Sequence, residues 1–130
     1  MRALIVEDDF TSRLLLQTFI SKYGECHVAV NGKEAVAAFR ASLADAKPYD
    51  VICMDVMMPE MDGRTAVSEI RALEEAGGTF STRGVKIIMT TALDDPKDVI
   101  QSFRVLCDAY LVKPIDTAKL LNQIRDFHLL

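Results

Sequence analysis

The 130-residue chain is predicted to fold as an α/β domain, a five-stranded parallel doubly wound sheet flanked by five helices. Two observations carry this prediction. Short apolar runs alternate five times with longer segments of helical period, and parallel strands need such crossover connections. The runs are also nearly continuous in apolar character, as in Ala3-Leu4-Ile5-Val6 and Val51-Ile52-Cys53-Met54, which suits strands buried on both faces. Composition agrees: 50% hydrophobic and 26% charged residues supply a core that needs no disulfide or metal staple.

Residues 3–6 form the first strand, and 12–23 follow as a helix carrying Leu15, Leu16, Phe19, Ile20 and Tyr23 on one period. Gly24 is expected at the C-terminal cap of that helix. Residues 27–30 read as a weaker strand ended by Asn31-Gly32, and 33–44 as a helix with Ala35, Val36, Phe39 and Leu43 inward. Pro48 stops that unit, and 51–54 make the third strand. Asp62-Gly63 opens a helix to about 76, closed by Gly77-Gly78, and a polar loop (79–84) leads to the strand 85–90. Asp94-Asp95-Pro96 marks the fourth helix start, with acid at the cap and Pro in the first turn. Residues 110–112 are the last strand and 116–128 the last helix, capped by Asp116. With no repeat, low-complexity stretch or linker, residues 1–130 are expected to be one domain.

Charge and patterning exclude several classes of function. Nineteen acidic groups against fifteen basic ones give a net charge of -4, which argues against direct nucleic-acid binding through a basic surface. No apolar run approaches the roughly 20 residues that span a bilayer, and MRALIVEDD is not a signal peptide, so no membrane partner is expected. Cys26, Cys53 and Cys107 are odd in number and far apart, as in buried thiols of a reducing cytoplasm. His27 and His128 have no partners at zinc spacing. The methionines 54, 57, 58 and 61 read mostly as core fillers, Cys53 as a small buried hydrophobe, and the acids at 94, 95 and 98 as helix-start charges.

In doubly wound sheets, ligands bind at the carboxyl ends of the strands. Here four strands end in charged or hydroxyl groups: Glu7-Asp8-Asp9, Asp55, Thr90-Thr91, and Lys113 followed by Pro114. Each has a plain structural reading. Asp9 or Thr11 can cap the first helix, Asp55 can open the turn towards Pro59 and Gly63, Thr91 is an ordinary β-branched strand residue, and Lys113 a solvated rim charge. Together they describe three carboxylates, a hydroxyl and an ammonium in one pocket. Clustered carboxylates repel unless a cation sits among them, and Mg²⁺ suits such oxygens. A carboxylate beside Mg²⁺ and Lys can attack a phosphoryl group and become an acyl phosphate.

Four segments then stand out: Val6-Glu7-Asp8-Asp9, the run Met54-Asp55-Val56-Met57-Met58-Pro59-Glu60-Met61-Asp62-Gly63, Thr91-Ala92, and Tyr110-Leu111-Val112-Lys113-Pro114. With these, essentially the whole chain resembles the receiver domain of two-component response regulators. The resemblance implies a flavodoxin-like strand order, 2-1-3-4-5. It implies Asp55 as phosphoacceptor, and Asp8 and Asp9 as an acid pair that holds Mg²⁺ with Asp55 and the backbone carbonyl of Met57. It further implies Thr91 as the switch hydroxyl, Lys113 as the phosphoryl contact, Tyr110 as an aromatic rotamer switch, and a cis peptide at Lys113-Pro114.

The function expected from this resemblance is a cytoplasmic phosphorylation switch. A sensor histidine kinase or phosphotransfer protein donates the phosphoryl group, and the face of the fourth helix, fifth strand and fifth helix then changes to regulate a downstream target protein. A stand-alone monomer is expected, since no residues follow the last helix for an output domain. It is expected to show self-phosphorylation and slow self-dephosphorylation rather than enzymatic turnover. Met57 and Leu93 are placed by the resemblance beside the phosphoryl group, and both are apolar, so neither can orient an attacking water. Two departures from the family pattern are present. Leu106-Cys107-Asp108-Ala109 stands where Gly-Ala is usual, and 74–84 is long, with Gly77, Gly78 and Gly84.

Three rival readings fare worse. An Asp-nucleophile phosphatase of the haloacid dehalogenase type wants an acid two residues after the nucleophile, where Met57 stands. A flavodoxin-like electron carrier wants an uncharged, hydroxyl-rich loop after the first strand, and Glu7-Asp8-Asp9 would repel its phosphate. A degenerate receiver used only for binding would not keep all five pocket residues.

Overall fold

A computed structural model describes residues 1–78, 84–92 and 107–130. Its elements run β1 (Arg2–Val6), α1 (Phe10–Ile20), β2 (Glu25–Ala29), α2 (Gly32–Ala44), β3 (Val51–Asp55), α3 (Gly63–Ala76), β4 (Lys86–Thr91), β5 (Ala109–Val112) and α4 (Thr117–Asp126). All neighbouring strands are parallel, in the order β2-β1-β3-β4-β5 that the resemblance implies. Four helices lie among the described residues. The helix expected from Asp94-Asp95-Pro96, and Leu93 with it, lies outside them. No helix among the described residues is long and apolar enough to cross a membrane.

The alternation of side chains across the pleat divides the core in two. Leu4, Val6, Ile52, Met54, Ile87 and Met89 point to one face, where Phe39 of α2 and Val67 and Ile70 of α3 cover them. Ala3, Ile5, Val51, Cys53 and Ile88 point to the other, under Leu16 and Ile20 of α1 and Leu120 and Ile124 of α4. Burial on both sides is why these strands carry no polar alternation. β3 sits in the middle with every residue buried, so its last residue, Asp55, emerges at the centre of the carboxyl edge.

Every described helix begins with a side-chain cap. Asp9 accepts from the Ser12 N–H at 2.8 Å, Asn31 from Glu34 at 2.8 Å, Asp62 from Thr65 at 2.8 Å, and Asp116 from Ala118 at 2.9 Å. Such caps contribute about 1 kcal/mol each and fix where each helix leaves the sheet edge. α1 therefore starts at Phe10, two residues earlier than its periodicity predicts. Gly24 is not a helix cap: α1 ends at Ile20 with Ser21 as its C-cap. Glycine is required there because the chain passes so close to Met1 that an added Cβ would lie 2.3 Å from its carbonyl oxygen.

The departure ahead of β5 has a partner. The Asp108 carboxylate accepts from the Ile87 N–H and from Arg71 Nη2, both at 2.8 Å. Arg71, 4% exposed, also donates through Nη1 to Glu74 at 2.6 Å and to the Val85 carbonyl at 2.8 Å. Glu74 in turn accepts from the Val85 N–H at 2.8 Å. This network ties α3 to the starts of β4 and β5, at the amino edge of the sheet, far from Asp55.

Removing one member of a buried charge network leaves the others unpaired, which costs about 3 kcal/mol or more. Arg71→Met should therefore lower the urea midpoint by the equivalent of about 3 kcal/mol with an unchanged slope. A loss under about 1 kcal/mol would show that the network behaves like an exposed ion pair.

Candidate functional site

Three strands deliver charged groups to one point on the carboxyl edge. Glu7 directly follows β1, where its N–H still donates to Ala29 of β2 at 3.1 Å, and its residue is 1% exposed. Asp55 ends β3 at 4% exposure. Carboxylate oxygens of Glu7, Asp8 and Asp55 lie within 4.8 Å of one another. Lys113 reaches in from the end of β5: its Nζ donates to Glu7 Oε2 at 2.6 Å and stands 3.3 Å from Asp55 Oδ2. Backbone pairing places it there, since the Lys113 N–H donates to the Thr91 carbonyl at 2.6 Å. The Lys113-Pro114 peptide is cis.

Thr91 is the buried last residue of β4. Tyr110 lies opposite Met89 on β5, half-buried against the core that contains it. Met57, two residues after Asp55, is 64% exposed. Leu93 lies outside the described residues.

Asp9, expected to hold a metal with Asp8 and Asp55, lies outside the carboxylate cluster that those two form with Glu7. Its side chain turns away to cap α1, and the hydrogen bond from the Ser12 backbone is the main cause of a carboxyl held below its ordinary range. The acid pair is Glu7-Asp8, one residue earlier. Glu7 is the site residue that the sequence reading missed. Asp9 reads as a possible cap of the first helix, but nothing local in three consecutive acids says which two face the strand end. The turn is closed by the Asp9 N–H donating to Glu7 Oε1 at 3.1 Å and by Arg13 Nη1 donating to the Glu7 carbonyl at 3.1 Å.

On the other side of the site, α3 presses its first residue against the phosphoacceptor candidate. The Gly63 N–H donates to the Val56 carbonyl at 2.9 Å, and a Cβ on Gly63 would lie 2.1 Å from the Asp55 carbonyl oxygen. Any side chain there would push the end of β3 out of place.

Burial pushes the Asp55 carboxyl up to about 7, with the Glu7 charge adding to the effect and Lys113 opposing it. Burial works against the Lys113 ammonium, yet the Glu7 hydrogen bond and the Asp55 charge outweigh it and raise Lys113 above its ordinary value. The site thus carries more negative charge than one ammonium offsets. Hard oxygen donors in this arrangement fit a small divalent cation. Asp55 shares Lys113 with Glu7, but it alone of the three ends a strand paired with the buried Thr90, surroundings that suit a nucleophile towards phosphoryl groups.

Comparison with known proteins agrees with this geometry. A family model described as the response regulator receiver domain matches residues 3–125. The chemotaxis protein CheY of Thermotoga maritima is 30% identical over 125 residues, covering 95% of this chain and 93% of that protein. The probable transcriptional regulator ycf27 of Guillardia theta is 35% identical over 95% of this chain, but the chain spans only 44% of its length. Among solved structures, the receiver domain of the Arabidopsis thaliana histidine kinase CKI1, complexed with Mg²⁺ and BeF₃⁻, superposes with a TM-score of 0.83 at 30% identity, over 99% of this chain and 90% of that one. The receiver domain of Ssk1 from Saccharomyces cerevisiae, crystallised with the histidine phosphotransfer protein Ypd1, gives 0.84 at 29% identity, over 98% and 88%. The chain belongs to the response regulator receiver domain family, the switch modules of two-component signalling.

The raised Asp55 carboxyl has a consequence for stability. Its folded value of about 7 exceeds the ordinary 3.8, so the folded state binds the proton more tightly. That contribution is fully present below pH 3.8 and is lost as the pH rises through 7. Without divalent cations, the parent should lose stability between pH 4 and 7 relative to Asp55→Asn, whose amide cannot ionise. Urea midpoints in the presence of chelator test this, and parallel pH profiles for the two proteins would contradict it.

Proposed function

We propose that the domain accepts a phosphoryl group on Asp55 from the phosphohistidine of a sensor histidine kinase or phosphotransfer protein, and so switches its affinity for a downstream target protein in the cytoplasm. The observation that carries the reading is the buried Asp55 carboxylate beside Lys113, within a cluster completed by Glu7 and Asp8. An Asp55 oxygen attacks phosphorus and the P–N bond breaks; the donor imidazole, protonated at its other ring nitrogen, keeps the bonding pair and leaves as the neutral base. The product is an acyl phosphate.

Glu7, Asp8, Asp55 and the backbone carbonyl of Met57 would hold Mg²⁺. When bound, it supplies positive charge to the phosphoryl oxygens and relieves the repulsion among the acids. Lys113 then turns from Glu7 to the new oxygens. The Thr91 hydroxyl donates to another, and Tyr110, on the neighbouring strand β5 opposite Met89, follows into the space that Thr91 leaves. Both changes act on β4, β5 and the segment between them, a bias between two states of one surface.

The rim of the site suits a helical donor. Phe10, 66% exposed, and the exposed Leu14 and Leu15 lie along α1, and Leu15 lines one cavity with Glu7 and Lys113. An apolar stripe beside a charged pocket lets a partner helix anchor while its phosphohistidine enters. That the Ssk1 receiver has been crystallised with a phosphotransfer protein supports the same class of donor. The haloacid dehalogenase alternative still lacks its second acid, since Met57 occupies that position. A separate phosphatase or back-transfer would reset the switch, because Met57 offers no hydrogen bond to an attacking water.

Acetyl phosphate with Mg²⁺ should add one phosphoryl group to the intact mass. Asp55→Asn, nearly isosteric, should stay folded and unlabelled, and chelator should prevent labelling of the parent. Equal labelling of Asp55→Asn, or labelling that ignores the metal, would overturn the assignment.

A further inference from the structure

We infer that Met57 is an oxidation site through which hydroperoxides shorten the life of the phosphorylated state, an inference that rests on Asp55 being the phosphoacceptor. The chain has six methionines, and their burial separates them sharply. Met54 and Met89 are wholly buried. Met1, Met58 and Met61 are partly buried against the two cores. Met57 alone among them is a large exposed hydrophobe, open to solvent over 64% of its surface. A peroxide must touch the thioether sulfur to react, so accessibility decides which methionine is converted first.

The chemistry is a two-electron transfer. The Met57 sulfur lone pair attacks one peroxide oxygen, the O–O bond breaks, and the second oxygen leaves as water for hydrogen peroxide or as an alcohol for an organic peroxide. Sulfur is oxidised to the sulfoxide and the peroxide is reduced. The product replaces an apolar side chain with one bearing a strong hydrogen-bond acceptor, and reductases for both sulfoxide epimers make the change reversible.

Position turns this ordinary lesion into a control. Met57 lies two residues beyond Asp55, with only the buried Val56 between them, which keeps its exposed side chain within reach of the site. The acyl phosphate is lost when a water attacks in line, and an oriented water reacts far faster than a free one. The thioether of Met57 cannot hold that water and its methyl end helps to exclude it. The sulfoxide oxygen can hold it. Oxidation should therefore convert a slowly reset switch into a rapidly reset one, without touching any carboxylate, Lys113 or Thr91.

The test uses the whole chain, treated with dilute hydrogen peroxide and quenched, then mapped by peptide mass. Treated and untreated protein, Met57→Leu and Met57→Gln are next phosphorylated with acetyl phosphate and Mg²⁺, and loss of the phosphoryl group is followed by intact mass. Met57 should gain one oxygen several-fold faster than any other methionine. The oxidised parent and Met57→Gln should lose the phosphoryl group several-fold faster than the untreated parent, and peroxide should leave the rate of Met57→Leu unchanged. Earlier oxidation of another methionine, or an oxidised parent with the original lifetime, would overturn the inference. A parent that takes no phosphoryl group before any oxidation would overturn the proposed function itself, while the order of oxidation remains readable.

Discussion

One ammonium holds the business end of this domain together. Lys113 reaches across from β5 to Glu7, 106 residues earlier in the chain, and stands within ion-pair distance of Asp55. Glu7 is almost wholly buried, and Lys113 is the cation that pairs with it. A buried carboxylate stripped of its partner is among the costlier defects a small domain can carry. The strand order explains how the contact arises. β1 and β3 are neighbours, which sets Glu7 beside Asp55, and β5 lies one strand beyond β4, which leaves the length of a lysine side chain to span the gap. Burial first, and the Glu7 charge second, still raise the Asp55 carboxyl against the opposing pull of Lys113. A site left short of positive charge is one that gains from a divalent cation.

The two edges of the sheet use buried charge in opposite ways. At the amino edge, Arg71, Glu74 and Asp108 satisfy one another and the backbone of Val85 and Ile87. With Lys86 Nζ 4.0 Å from Asp108, two cations face two acids there, and the network fixes the starts of β4 and β5 in place. At the carboxyl edge the acids outnumber the lysine, and a bound cation or phosphoryl group changes the balance. Thr91 and Tyr110, the residues proposed to respond to a phosphoryl group, lie on the same two strands whose starts are pinned. Movement at one end of β4 and β5 is thus referred to an anchored opposite end. The Asp108 departure from the usual Gly-Ala supplies part of that anchor.

The sheet was legible because its strands are short, apolar and evenly spaced, and Asp55, Thr91 and Lys113 could be placed because each sits where such a run stops. Asp62 and Asp116 were equally legible as helix caps. The acidic triplet was not. Three consecutive carboxylates give no local cue to which of them faces the pocket, since the answer depends on how far β1 continues and on whether Asp9 is claimed by the α1 N-terminus. Gly24 misled for a similar reason: its need for glycine comes from the passing backbone of Met1, a contact between residues distant in sequence. The Arg71–Asp108 pair, 37 residues apart, was likewise invisible to any local pattern.

The account stands or falls on which acids bind the cation. Calorimetric titration of Mg²⁺ into the parent, Asp8→Asn and Asp9→Ala at neutral pH addresses it directly. One Mg²⁺ should bind the parent, with affinity reduced at least about tenfold in Asp8→Asn and retained in Asp9→Ala, because a 1.4 kcal/mol contribution from one ligand is already a factor of ten. An Asp9→Ala protein that loses as much affinity as Asp8→Asn, or a parent that binds no Mg²⁺, would contradict it.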